Sequence, residues 1–266
     1  MQNKIHFTKM NGTGNDFIVF DNRTGLFTGN ESDYFKKICT RKFSVGADGI
    51  LLVDGKESNT ISMRYFNSDG YEADMCGNGG RCVAQFVRDK NIIRSDSFII
   101  KAKDGMHPVT MKKGEVKLSL NLTSEIRSGF NLVQERGLKE GGYIEIGVPH
   151  YILFTDHIEN IMVREEAPYY RENKVFSKGV NVNFVQYQGN NQIQVRTYER
   201  GVEDETLSCG TGCVASAVIS SDHFQMTSPV HIITRGGELT VEFDESYKNV
   251  FLVGKAEVVY EGVVEY

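Results

Sequence analysis

The sequence predicts an α/β protein built from two copies of one half, and three observations carry this. Met75-Cys76-Gly77-Asn78-Gly79-Gly80-Arg81-Cys82 returns in altered form as Ser208-Cys209-Gly210-Thr211-Gly212-Cys213, each copy leading into small and apolar residues. Cys76 and Cys209 lie 133 residues apart in a chain of 266. At that one offset Gly14–Phe20 falls on Gly147–Leu153, Ile61–Asn67 on Gln194–Arg200, and Ile99 and Ile100 on Ile232 and Ile233. Turns meet turns and strands meet strands, as an internal duplication requires. The expected halves are 1–120, rejoined by a C-terminal strand over 256–266, and 121–255.

Taken in order, residues 4–8 alternate as a strand does, and Lys9–Asp16 is a polar, glycine-rich turn before the β-branched strand Phe17–Asp21. Ser32–Cys39 reads as a capped amphipathic helix with Cys39 on its apolar side. Gly46–Gly49 turns into the strand Ile50–Val53, and Ile61–Phe66 ends at the turn Asn67-Ser68-Asp69-Gly70. The first cysteine loop and its helix run to about Asp89. Ser97–Lys103, Val109–Met111 and Glu115–Leu120 form a meander. Residues 121–142 are polar and aperiodic and make the passage between halves.

In the second half Tyr143–Ile146 is a strand, Gly147–His150 a turn, and Tyr151–Phe154 a strand. Ile158–Tyr170 is helical with a break at Pro168. Gly179–Val185 and Ile193–Tyr198 are strands, followed by the acidic run Glu203-Asp204-Glu205, which reads as a solvated loop face, and the second cysteine helix. Strands continue from Val230, and 256–260 returns to the first half.

Composition narrows the function. A formal charge of −5 argues against a general nucleic-acid or membrane surface. No apolar run approaches the ~20 residues that span a bilayer, and Met1–His6 has no signal-peptide core. The cytoplasm is the expected location, where the five cysteines stay reduced.

A cysteine at a helix mouth meets unpaired backbone N–H groups and the positive end of the helix dipole. That environment holds a carboxylate and favours a thiolate. Two such thiols suit inversion at a carbon, one removing a proton and the other returning one to the opposite face. The loop N–H groups would stabilise the charge that develops on the substrate carboxylate. No dinucleotide or phosphate-loop fingerprint occurs, and no cofactor is expected. Cys82 and Cys213 read as packing residues. Cys-x5-Cys and Cys-x3-Cys spacings suit zinc poorly, so no metal is expected; a non-catalytic thiol or zinc module is the competing reading.

These motifs resemble the diaminopimelate epimerase family over essentially the whole chain. Lys9–Phe17, Asn67–Gly79, Gly147–His150, Asn181-Val182-Asn183 and Tyr198-Glu199-Arg200-Gly201 through Cys209–Gly212 carry the match. The resemblance implies interconversion of LL- and meso-2,6-diaminoheptanedioate without pyridoxal phosphate, on the way to lysine and peptidoglycan. It implies two domains, each a β-barrel-like, mainly antiparallel sheet around a central helix. Cys76 and Cys209 become the acid–base pair, with His150 and Glu199 near the reacting centre. Gly77, Asn78, Gly210 and Thr211 would hold the reacting carboxylate, and Asn15, Asn67, Asn181, Glu199 and Arg200 the rest of an amino-acid substrate. Arg200 offers a bidentate fork to a distal carboxylate. A homodimer with Tyr260 near its interface is also implied. A racemase of another amino acid, such as a lanthionine-like diacid, is the nearer alternative. Three positions depart from the family pattern: Val148 in place of asparagine, Gly49 in place of glutamine, and one extra residue within Gly201–Thr206.

Overall fold

The computed structural model describes residues 4–133 and 137–266. The chain divides into two units, Met1–Leu118 with Gly254–Tyr266, and Ser119–Val253.

Unit 1 opens with β1 (Lys4–Gly12) and β2 (Asn15–Asp21), then α1 (Ser32–Cys39), β3 (Gly49–Glu57), β4 (Thr60–Asn67), β5 (Glu72–Ala73), α2 (Gly77–Asp89), β6 (Ser97–Ala102), β7 (Gly105–Lys112) and β8 (Glu115–Leu120). Unit 2 follows with β9 (Leu138–Ile146), β10 (Val148–Thr155), a 3-10 turn (Ile158–Asn160), α3 (Val163–Arg171), β11 (Asn181–Gly189), β12 (Gln192–Glu199), β13 (Asp204–Thr206), α4 (Gly210–Phe224), β14 (Val230–Thr234), β15 (Gly237–Phe243) and β16 (Val250–Gly254). The last strand, β17 (Glu257–Glu265), pairs antiparallel with β1 and so belongs to unit 1.

Each unit is a mixed but mainly antiparallel sheet with the same wiring. In unit 1, β2–β3 and β4–β6 are parallel, while β1–β2, β3–β4, β4–β5, β6–β7 and β7–β8 are antiparallel. Unit 2 repeats this with β10–β11 and β12–β14 parallel and the remaining neighbours antiparallel. The single offset of 133 does not hold throughout. Tyr65 faces Ala73, whereas Thr197 faces Thr206, so the central strands correspond at 132 and Asn67 matches Glu199 rather than Arg200. The extra residue between β12 and β13 restores 133 at the cysteine loops, but β6 and β14 again correspond at 132, so Ile100 matches Ile232 rather than Ile233.

Both central helices are buried because their sequences are apolar where the sheet surrounds them. α2 packs on β1, β2, β3 and β17, and α4 on β9, β10, β11, β12, β14 and β15. From Cys213 to Ile219 every residue of α4 is buried, the pattern of a helix enclosed on all sides. Among the described residues no helix is long and apolar enough to cross a membrane.

Several local expectations change. The Lys9–Asp16 turn is a hairpin that uses only Thr13 and Gly14, because β1 and β2 pair as far as Gly12 and Asn15. α1 has no side-chain cap; Glu31 instead accepts N–H bonds from Thr28 and Gly29. β9 starts at Leu138, so the passage between halves is shorter, and its residues 134–136 lie outside the described residues. The expected turn at Gly147–His150 shrinks to Gly147, whose φ of 70° suits glycine, with β10 already extended from Val148. The segment 158–170 splits into the 3-10 turn and α3, and Pro168 lies inside α3 rather than breaking it. Finally, the acidic run remains a solvated loop face at Glu203 and Asp204, but its carboxylates are tied down by ion pairs. Glu203 pairs with Arg171, Asp204 with Arg164, and the partly buried Glu205 with both Arg196 and Arg235.

Candidate active site

In each unit the cysteine is the residue that caps the central helix. Cys76 and Cys209 have extended backbones (φ −104° and −112°), and each sulfur accepts the N–H of the residue three positions on, Gly79 or Gly212, at 3.4 Å. The thiol thus takes the place a serine or aspartate side chain usually fills at an N-cap. Gly77 and Gly210 are the first helical residues, both buried, and their amides belong to the unsatisfied first turn. All five cysteines are free, and among the described residues no three His, Cys, Asp or Glu side chains gather as metal ligands.

Around Cys76 the polar groups form a chain. Its thiol donates to Asn15 Oδ1 at 3.7 Å, and Asn15 Nδ2 donates to Asp48 Oδ2 at 2.6 Å. Arg41 bridges Asp48 and Asp16, and Lys9 also pairs with Asp16. Burial alone would raise the Asp16 carboxyl, but Arg41 and Lys9 outweigh it and hold the group at about 2. Asn78 is buried, and its Oδ1 accepts from Arg81 Nη2 at 2.7 Å; the same nitrogen reaches Thr13 Oγ1 at 3.1 Å. The Asn78 side-chain oxygen is therefore held within the protein, and its backbone amide lies in the first turn of α2. Asn67 lies exposed at the end of β4. Gly49 admits no side chain, since a Cβ there would collide with the Phe66 carbonyl.

Cys209 is set differently. Burial, then the nearby Glu199 carboxylate, push its thiol well above the ordinary range, against the opposing Thr211 hydroxyl and Gly212 N–H. Thr211 Oγ1 lies 3.5 Å from the sulfur. His150 is not a surface turn residue: it lies in β10, fully buried, opposite Asn181 of β11. Burial and the positive Arg200 push its imidazolium down to about 3, so the ring is neutral. Asn183 Nδ2 donates to His150 Nδ1 at 3.2 Å, and Thr197 donates to Asn183 Oδ1 at 2.9 Å. His150 Nε2 is buried without a partner among the described residues. Asn181 Oδ1 accepts the backbone N–H of Arg200 at 2.7 Å, and Arg200 Nη1 donates to the Lys178 carbonyl at 2.9 Å.

Unit 1 therefore brings Asn15 and Asn78 to the Cys76 helix mouth. Unit 2 sets Thr211 and Glu199 by Cys209 and joins His150, Asn181 and Arg200 through contacts or charge. Sequence reasoning missed Asn183 and Arg81 as site-building residues. An asparagine two positions from Asn181 in an apolar strand shares its face, and an arginine within an apolar helix start is a visible anomaly.

The duplicated fold is shared with solved structures. A solved phenazine-biosynthesis protein of the PhzF family from Bacillus anthracis superposes with a TM-score of 0.73 at 18% identity, covering 98% of this chain and 99% of that one. A hydroxyproline epimerase from Agrobacterium vitis, solved with bound trans-4-hydroxy-L-proline, gives 0.66 at 12% identity over 98% and 92%. At these identities the likeness is one of fold.

The sequence comparisons are narrower. The family model for diaminopimelate epimerase matches twice, over residues 7–124 and 142–259, one match per repeat. The diaminopimelate epimerase of Flavobacterium psychrophilum is 38% identical over 262 residues, covering 96% of this chain and 98% of that protein. That of Methanocella arvoryzae is 37% identical, covering 98% and 97%. The chain belongs to the diaminopimelate epimerase family.

Proposed function

We propose that the protein interconverts LL- and meso-2,6-diaminoheptanedioate by two-base proton transfer at one α-carbon, using no organic cofactor. The observation that carries this reading is the cysteine at the cap of the central helix in each of the two family matches. Inversion needs a base on one face of the carbon and an acid on the other. A thiolate takes the α-proton, the C–H pair spreads onto the carboxylate, and the second thiol delivers its own proton to the opposite face. Burial and Glu199 favour the thiol form of Cys209, so a turnover that starts from this state uses Cys209 as the acid and Cys76 as the base, and the roles exchange in the reverse direction.

The amides of Gly77, Asn78, Gly210 and Thr211 bind the reacting carboxylate and meet the charge that grows on it. His150, neutral and with its buried Nε2 unpartnered among the described residues, supplies one donor to the substrate. Arg200 takes the distal carboxylate, with Asn15, Asn67, Asn181 and Glu199 around the ammonium groups. The experiment is proton NMR of reduced protein in D2O with LL-diaminopimelate and no additive. Deuterium entering one α-carbon as meso product forms is expected, and Cys76→Ala or Cys209→Ala abolishes it. Full inversion by either variant would refute the two-base reading.

The protein works as a homodimer through β17. The support is the row of exposed apolar side chains there, Val258, Val259, Tyr260 and Val263, with the Tyr260 ring set edge-on to Phe7 at 5.9 Å. Sedimentation of Tyr260→Ala tests it: a wild-type dimer giving way to monomer is expected. Free thiols suit the reducing cytoplasm, where cell fractionation should find the protein.

A further inference from the structure

The acidic run Glu203-Asp204-Glu205 lies between Arg200 and the second cysteine. Glu203 lies in the Gly201–Thr206 segment. Its backbone is left-handed (φ 56°), and its N–H bonds back to the Glu199 carbonyl at 2.9 Å, closing a tight turn. A non-glycine residue held there needs compensation from its surroundings. Here it comes from the side chain: Glu203 Oε1 accepts the Gly201 N–H at 2.9 Å and Arg171 Nη2 at 2.6 Å.

Arg171 reaches both flanks of Arg200. On one flank it holds Glu203, whose carboxylate fixes the residue after Arg200. On the other its guanidinium packs against Gly179, where any side chain would collide with it. The neighbouring Lys178 carbonyl is the acceptor for Arg200 Nη1. Asn181 then fixes the Arg200 amide. The carboxylate of Glu203 is depressed: burial works upward, but the Gly201 N–H and Arg171 outweigh it, so the group is ionised.

We propose that Arg171 and Glu203 are a positioning pair that presents Arg200 to the distal carboxylate of the substrate. The proposal rests on the reading of Arg200 given above. Neither residue touches substrate; both act by limiting the positions the Arg200 backbone and guanidinium can take, which spares binding energy otherwise spent on ordering them. Because the distal carboxylate is bound alike in ground and transition states, the effect falls on KM rather than kcat.

The test is the kinetics of LL-diaminopimelate epimerisation by Arg200→Gln, Glu203→Gln, Arg171→Gln and the double variant Arg171→Gln/Glu203→Gln, with a Tm for each. Arg200→Gln is expected to raise KM strongly. Glu203→Gln and Arg171→Gln each raise KM about tenfold with kcat within about twofold, and the double variant is no worse than either single one, as coupled partners require. If Arg200→Gln raises KM and the pair variants do not, the positioning role is overturned while Arg200 keeps its own. If Arg200→Gln leaves KM unchanged, the distal reading and the pair both fall. Loss of Tm with kcat and KM changing together would reduce the pair to a structural tie and overturn it too. Should Arg171→Gln fail to fold, Glu203→Gln decides alone, since Glu203 is solvent-facing and glutamine keeps the acceptor for Gly201.

Discussion

Asn183 donates its amide N–H to Nδ1 of His150 across 3.2 Å, which leaves the imidazole proton on Nε2. That amide is itself oriented, because its oxygen accepts from Thr197. The consequence is a histidine that donates and does not titrate. With its pKa pushed down to about 3 by burial and Arg200, His150 should show no ring chemical-shift change between about pH 5 and 8, where a free histidine titrates. A midpoint near pH 6.5 for this ring would be incompatible with that environment. Asn183→Asp should reverse the preference, since a carboxylate accepts from Nδ1 and raises the imidazole pKa; activity should fall about 100-fold as the donor geometry is lost.

A second prediction concerns Glu199 and Cys209. Removing the carboxylate charge lowers the Cys209 pKa, but burial, the larger cause, remains. In Glu199→Gln, alkylation of Cys209 by iodoacetamide at pH 7 should accelerate about three- to tenfold while epimerisation falls. Peptide mapping by mass spectrometry reads the site, and a slower Cys209 would contradict the electrostatic account.

Asp48 sets the orientation of Asn15. Its carboxylate takes the Asn15 N–H at 2.6 Å, which turns the amide oxygen toward the Cys76 thiol. An asparagine at 48 can donate as well as accept, so Asp48→Asn lets Asn15 rotate and offer an N–H to the sulfur. Cys76 alkylation at pH 7 should rise about threefold, with inversion impaired. An unchanged alkylation rate would mean the amide keeps its orientation without Asp48.

The fourth prediction is a stability profile. The Asp16 carboxyl, held at about 2 by Arg41 and Lys9 against burial, is depressed in the folded state. Its contribution is therefore present above the unfolded value near 4 and is lost as pH falls toward 2. Asp16→Asn should cost about 2 kcal/mol at pH 7, and urea midpoints should show the gap to wild type narrowing from pH 4 to 3. A gap constant over that range would assign the loss to packing instead.

The duplication, the α/β class and the helix-mouth cysteines could all be read from the chain. Those features are local: Gly-x-Gly after a cysteine, apolar alternation and turn residues each act within a few positions. The strand ends were less legible, as at Val148, because pairing with a neighbour extends a strand beyond its own propensity. Pro168 was misread for a related reason. Sequence sees the missing N–H, while the packing of α3 residues Val163, Ala167 and Tyr170 into the unit 2 core keeps the helix going.

The sequence by itself singled out the residues on which the proposed chemistry rests: two cysteines, each at the start of an apolar helix, in chain order with Glu199 and Arg200. Only the tertiary structure decided their states. The neutrality of His150 depends on complete burial and on Arg200, 50 positions away in the chain. The pairing of Glu203 with Arg171 depends on a turn meeting α3. Burial and charge act through space, over distances that chain spacing does not record.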